Sequence, residues 1–440
     1  MKKFKIVLVG GGSTWTPGIL KSLTNHKETF PLDQIVLYDV DEERQSIVAQ
    51  AGEIQFREES PETKFIYTTD KEIAFKDKDF ILCQMRTGGY PMRLKDEQIP
   101  MSLGVIGQET CGPGGFAYGM RSIRDMIELV NDVRTYSPEA WIINYTNPAA
   151  IVADALSLVF PEDKKILNIC DQPVNLLRSY GRLMEVDEKI WEPVYFGLNH
   201  FGWFTHLYDK DGNDYVPLIR EKISKNGFIP VDAEQRDKSW LDTYGMVKDI
   251  LDDFPDYLPN TYLQYYLYPE YKYHKMDPIN TRAVEVMKGR EKRVFEECAA
   301  IVAANTTKDS KLVHNDAHGD MIVEVAESIA HNRNKIFIVI LKNDGLIANV
   351  SDSAMVEVAA TLGKNGPRAF GVGEVSTFYK GLIENQFAYE RLTVEAYLEG
   401  SYKKALMALT LNRTVIDAKK ARKVLDALIE ANQGYWPALK

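Results

Sequence analysis

Short apolar runs alternate with amphipathic stretches through the first part of the chain. Lys5–Val9 (KIVLV) is a β-branched run that stops at Gly10, which reads as a buried strand followed by a turn. Pro17 suits the first turn of a helix, and the residues from Gly18 to Leu23 keep helical spacing. A second strand, Gln34–Tyr38, ends at Asp39, and a helix is predicted over Glu42–Glu58. Further strands are predicted at Phe65–Thr68, Phe80–Gln84, Trp141–Asn144 and Ile166–Ile169, with a helix over Gly119–Tyr136. Such alternation builds a parallel sheet covered on both faces. The expectation is an α/β chain whose first domain, residues 1–190, is Rossmann-like.

The pattern then changes. Tyr195–Gly197 and Trp203–Tyr208 read as strands. Ile336–Leu341 and Leu346–Val350, separated by Asn343-Asp344-Gly345, predict a hairpin. Helical patterns cover Gly381–Glu399 and Lys403–Asn432. Residues 191–440 are therefore expected to form a C-terminal α+β domain rather than a continuation of the first.

Composition narrows the function. The chain has 440 residues and a net charge of −10, which argues against a nucleic-acid binder. It holds no apolar stretch of about 18 residues, so no membrane partner is expected. The N-terminal apolar run is one strand long and ends in glycines, unlike a signal peptide. The cysteines Cys83, Cys111, Cys170 and Cys298 form no CxxC pair, which fits a reducing, cytoplasmic address.

Several motifs could carry chemistry. Gly10-Gly11-Gly12-Ser13 follows a strand and opens a helix, where backbone N–H groups can approach a pyrophosphate. Asp39, ending the next strand, can hold a ribose diol and so selects NAD. The fingerprint is imperfect: Trp15 stands where a third glycine is usual, and the acid comes later than the usual spacing of about 20 residues. Asn144-Tyr145-Thr146-Asn147-Pro148 and Ile169-Cys170-Asp171-Gln172-Pro173 both follow strands, at the edge where ligands bind in such folds. Taken alone, Cys170 reads as core and Asp171 as a helix cap. His200, in Gly197-Leu198-Asn199-His200-Phe201-Gly202-Trp203, reads as a core histidine or a metal ligand. Tyr262 opens a tyrosine-rich stretch that suits packing or sugar stacking. The segment from His314 to Asp320 offers four possible ligands but no ligand frame, and reads as a solvated loop or helix start. Arg86, Arg93 and Arg282 could receive a phosphate.

In order along the chain, GGGSTWTPG, GQETCGPGG, NYTNPAA, ICDQP, GLNHFGW, NTYLQYY and LTVEA together resemble glycoside hydrolase family 4, whose NAD- and metal-dependent members depart from two-carboxylate hydrolysis. The resemblance spans nearly the whole chain. It implies a retained NAD and a divalent ion, most often Mn2+, held by Cys170 and His200. It also implies Tyr262 as base, Asp171 as acid, Glu109 raising the basicity of the tyrosine, and Arg93, Asn147 and Arg282 binding substrate. The Cys-Asp-x-Pro pattern resembles members that cleave α-linked 6-phospho-glucosides; those acting on β-linkages tend to carry asparagine after the cysteine. The implied reaction is C3 oxidation, C2 deprotonation, elimination, water addition and re-reduction, on a phosphorylated disaccharide such as maltose 6′-phosphate. The family likeness further suggests a homodimer or homotetramer. The competing expectations are a 6-phospho-β-glucosidase and, from the shared N-terminal pattern, an NAD-dependent hydroxyacid dehydrogenase.

Overall fold

The computed structural model describes residues 2–230, 233–235, 238–312 and 317–440. Among the described residues the strands are β1 (Phe4–Val9), β2 (Leu32–Tyr38), β3 (Lys64–Thr68), β4 (Phe80–Cys83), β5 (Trp141–Asn144), β6 (Ile166–Asn168), β7 (Glu192–Leu198), β8 (Phe201–Tyr208), β9 (Leu258–Pro259), β10 (Lys335–Lys342), β11 (Met355–Gly363) and β12 (Gly366–Ala369). Nine of them form one sheet in the order β12-β11-β10-β6-β5-β4-β1-β2-β3. The run from β6 to β3 is parallel, and its order is that of a doubly wound dinucleotide fold.

Strand periodicity explains how both faces are covered. Ile6, Leu8, Ile35, Leu37, Leu82 and Ile143 point to one side, against helices Thr16–Asn25 and Ala317–His331. Val7, Val9, Val36, Ile81 and Ile142 point to the other, against helices Gly112–Tyr136 and Ala149–Val159. Because both faces are buried, the parallel strands read as continuous apolar runs.

The C-terminal part is α+β as expected, but its strands β10–β12 extend the first sheet. β10 runs antiparallel to both β6 and β11. A smaller antiparallel sheet, β7-β8-β9, stands beside it. The sheet therefore crosses the boundary expected near residue 190.

Two expectations need correction. The turn at Asp344-Gly345 does form, with φ of 39° and 86°, but Leu346–Val350 does not return along β10. That role belongs to β11. Asn343 is fully buried and its amide donates to the carbonyls of Ile347, Val350 and Ser351, so the segment wraps around it. The segment's own backbone pairs instead with Val372 and Gly373. The single helix predicted over Lys403–Asn432 is two, Tyr402–Leu411 and Ala418–Ala431. Asn412 Oδ1 accepts from the Thr414 backbone and hydroxyl, which stops the first, and Asp417 caps the second at Lys420 N.

Candidate functional site

The strand order reverses between β4 and β1, and the carboxyl ends of the strands there form the crevice in which such sheets bind ligands. At the end of β1, Gly10 adopts φ +84°, and a Cβ there would lie 2.8 Å from the Gln84 carbonyl. A Cβ on Gly11 would lie 2.3 Å from Gln45 Oε1, and one on Gly12 would crowd Arg44 and Asp39. Side chains on this turn would fill the cradle. Ser13 closes it by donating its N–H to the Gly10 carbonyl. Asp39 accepts from Gly12 N at 2.8 Å and from Asp41 N at 3.2 Å, which fixes the carboxylate at the turn's rim. These features fit a dinucleotide.

Cys170 lies just beyond β6, and Asp171 takes the N-cap position of helix Gln172–Met184 without making a side-chain capping bond. The cap reading of Asp171 therefore describes its place and not its carboxyl. The neighbouring hairpin β7-β8 turns through Asn199 and His200, and His200 has φ +61°, an uncommon conformation for a residue with a Cβ. The turn throws the imidazole toward Cys170, with Sγ and Nε2 3.4 Å apart. Two ligands sharing one cation, with bonds of about 2.3 and 2.1 Å at roughly tetrahedral to right angles, stand about 3.1–3.6 Å apart. Burial lowers the His200 pKa to about 4, so the ring is neutral and its lone pair available. Burial, with the Asp171 and Glu357 charges, pushes the Cys170 thiol well above its ordinary value; a bound cation is what would ionise it. The pair fits a divalent metal. Among the described residues no group of three or more His, Cys, Asp or Glu is disposed to hold an ion, so other donors would complete the shell. Glu357 of β11 braces the hairpin tip, accepting from Tyr195 Oη at 3.1 Å and Asn199 Nδ2 at 2.9 Å.

Tyr262 stacks on His200, with ring centroids 4.1 Å apart and planes 5° from parallel. Burial raises its pKa well above the ordinary value, and the Glu109 charge adds in the same direction. Glu109 is gripped by Arg86 at 2.8 Å and Arg93 at 3.1 Å. Burial alone would raise its pKa, but the charges of Arg93, Arg86 and Arg290 bring it down to about 2. Glu97 ties two expected positions together: it accepts from Arg93 Nε at 2.9 Å and from Ala283 N, next to Arg282, at 2.7 Å. Arg282 also pairs with Glu285 at 3.2 Å. Asn147 is fixed through its carbonyl, which accepts from Ser122, while its buried Oδ1 has no protein partner. An acidic chain has thus gathered the guanidinium groups of Arg86 and Arg93 on one carboxylate, with the Arg282 segment tied to Arg93 through Glu97, a fit for a phosphorylated sugar.

Sequence reasoning missed two residues here. Arg290 lies in the π-helical turn Met287–Glu291, 4.4 Å from the Trp15 ring, and no motif marks it in the sequence. His318, in the segment read as a loop or helix start, is buried in the first turn of helix Ala317–His331, 3.8 Å from Asp171. His314 and Asp316, from the same segment, lie outside the described residues.

Comparison with known proteins identifies the family. The family 4 glycosyl hydrolase profile matches residues 5–185, and the family 4 glycosyl hydrolase C-terminal domain profile matches 195–415. The chain is 50% identical to a 6-phospho-α-glucosidase of Leptotrichia buccalis over the full length of both. It is 56% identical, with a TM-score of 0.98 and complete coverage of both chains, to a 6-phospho-α-glucosidase from gut microorganisms solved with NAD and Mn2+. A second such structure, with NAD and glucose 6-phosphate, is 44% identical with a TM-score of 0.95, again over all of both chains. The chain belongs to the family 4 glycosyl hydrolases.

Proposed function

We propose that this chain hydrolyses α-linked 6-phospho-glucosides, maltose 6′-phosphate among them, to glucose 6-phosphate, using NAD and a divalent cation, with Mn2+ preferred. The observation that carries the reading is the meeting of Cys170, His200 and Tyr262 at the sheet's carboxyl edge. Likeness to the 6-phospho-α-glucosidases supports the linkage, as does Asp171 beside the Cys170 ligand.

Gly10, Gly11, Gly12, Ser13 and Asp39 hold the dinucleotide, and Cys170 and His200 hold the metal. When bound, NAD takes and returns the C3 hydride while the cation polarises the C2 and C3 oxygens, so that the C2 proton becomes acidic. Arg93, Arg282 and Asn147 bind and orient the phosphorylated ring. Tyr262, once ionised, removes the C2 proton, and Glu109 strengthens it as a base by raising its proton affinity. Asp171 gives a proton to the glycosidic oxygen as the aglycone leaves from C1. Water then adds to C1 of the unsaturated sugar and gives its proton back to Asp171, and C2 is reprotonated by Tyr262 after the proton it took has exchanged with solvent. The net reaction is hydrolysis without net redox change.

No helix among the described residues is long and apolar enough to cross a membrane. A cytoplasmic address, on the cysteine usage, and a homodimeric or homotetrameric assembly, on family likeness, complete the proposal. Paired assays with maltose 6′-phosphate and cellobiose 6′-phosphate, with NAD and Mn2+ supplied, test it. Cleavage of the α-linked substrate alone is expected; faster cleavage of the β-linked one contradicts the assignment.

A further inference from the structure

The steps above give no part to His318. Its ring is 5% exposed, stacked on Trp15 with centroids 4.8 Å apart and planes 12° from parallel, and it lies 4.0 Å from the Tyr145 ring. Two aromatic neighbours leave the imidazole little freedom to turn. Gly319 lets it reach this place: a Cβ there would lie 2.6 Å from the Gly18 carbonyl, so helix Ala317–His331 meets helix Thr16–Asn25 backbone to backbone. Nδ1 faces Asp171 Oδ2 at 3.8 Å, and Nε2 faces Gln84 Oε1 at 3.3 Å.

A chain of hydrogen bonds sets which nitrogen carries the proton. The Gly10 carbonyl can only accept, so Thr16 Oγ1 donates to it at 3.3 Å. The Thr16 oxygen then accepts from Gln84 Nε2 at 3.1 Å. That orientation, assigned from the network, presents Gln84 Oε1 to His318, whose Nε2 must donate. In a neutral ring the other nitrogen is then a bare acceptor, and it is the one facing Asp171. An acceptor at that point gives the acid form of Asp171 a partner at Oδ2 and so fixes the plane of the carboxyl. A leaving-group oxygen that gains negative charge is a stronger base than imidazole, so the proton passes to the sugar side and not to the histidine. The present gap is of the kind that tightens when substrate fills the cleft.

We propose that His318 is a positioning residue for the reaction. Through Nδ1 it orients the Asp171 carboxyl as donor to the departing oxygen, and through Gln84 and Thr16 it ties that orientation to the glycine-rich turn. The inference rests on reading Asp171 as the acid, and the test separates the two. Turnover of the holoenzyme is measured on maltose 6′-phosphate, a poor leaving group, and on p-nitrophenyl α-glucoside 6-phosphate, which needs little acid help. D171N should lose about 100-fold or more on the disaccharide and little on the aryl substrate. H318A and Q84M should show the same selectivity, with a loss of about tenfold or more on the disaccharide. Q84M keeps the ring and removes the acceptor behind it, together with the donor to Thr16, so it carries the test if H318A does not fold. With D171N selective, equal losses on both substrates in the two variants would overturn the inference, because a packing defect slows both; so would no loss. Equal losses in D171N itself would remove Asp171 as the acid, and this role for His318 with it.

Discussion

Single residues in this site owe their chemistry to neighbours far away in sequence, which limits what any one motif reveals. Cys170 read locally is a core thiol and His200 a core histidine. What makes them a pair is the end of β6 lying against the tip of a hairpin whose turn residue has a positive φ. No spacing rule encodes that approach, and only the ordered set of motifs pointed to it. The arginines are a similar case. Arg86 and Arg93 are legible as candidates, but their grip on Glu109 depends on where helices Gly89–Ser102 and Gly112–Tyr136 begin. H200A should abolish Mn2+ binding, followed by titration calorimetry, while leaving NAD affinity unchanged. Retained Mn2+ affinity would place the ion elsewhere. E109Q should lower turnover by up to about 100-fold, because Arg93 loses the carboxylate that fixes its place toward substrate. With its pKa held at about 2, Glu109 stays ionised from mildly acidic to basic pH, so it adds no acidic limb to the rate profile in that range. A fall in rate on protonation of Glu109 near pH 5 would contradict this.

Elements were legible where the signal was local. The parallel strands announce themselves as apolar runs because both faces are buried, and the glycine-rich turn after β1 is where it was expected. The Asn343-Asp344-Gly345 signal was right about the turn and wrong about what the turn connects. Turn geometry is set by two backbone positions, but strand pairing is set by which segment can complete a sheet, and β11 does so over eight residue pairs. Asn343 helps decide the outcome: its amide donates to the carbonyls of Ile347, Val350 and Ser351 and accepts from Ile347 N, all from a fully buried position. N343A should therefore destabilise the fold by about 2–3 kcal/mol, read from urea unfolding midpoints. A change within about 0.5 kcal/mol, typical of exposed positions, would show that the loop holds itself by other contacts.

At the scale of the molecule, the expected doubly wound order is present, while the extension of its sheet by β10–β12 was not legible. Nothing in a strand's own sequence says that its partner lies far back in the chain. One consequence is that helix Ala317–His331 packs on the N-terminal helix Thr16–Asn25. Glu327 makes a hydrogen bond there with His26 Nδ1 at 3.1 Å and an ion pair with Arg333 at 2.8 Å. Burial would raise the Glu327 pKa, but hydrogen bonds from His26 and Thr29 and the nearby positive charges lower it to about 2. A carboxylate depressed on folding contributes stability that is complete above its unfolded pKa of about 4.5 and is lost as pH falls toward 2. E327Q should thus be less stable than the parent by about 2 kcal/mol at pH 7, since Arg333 is partly screened by solvent. The gap should close between pH 4.5 and 2; a gap independent of pH would mean that packing and not charge is responsible.

The central claim is that bond cleavage passes through loss of the C2 proton rather than direct displacement at C1. Maltose 6′-phosphate should be hydrolysed by the holoenzyme in D2O and the glucose 6-phosphate released from the phosphorylated ring separated for NMR. The account predicts deuterium at C2 of that product. A product with hydrogen alone at C2 would contradict it.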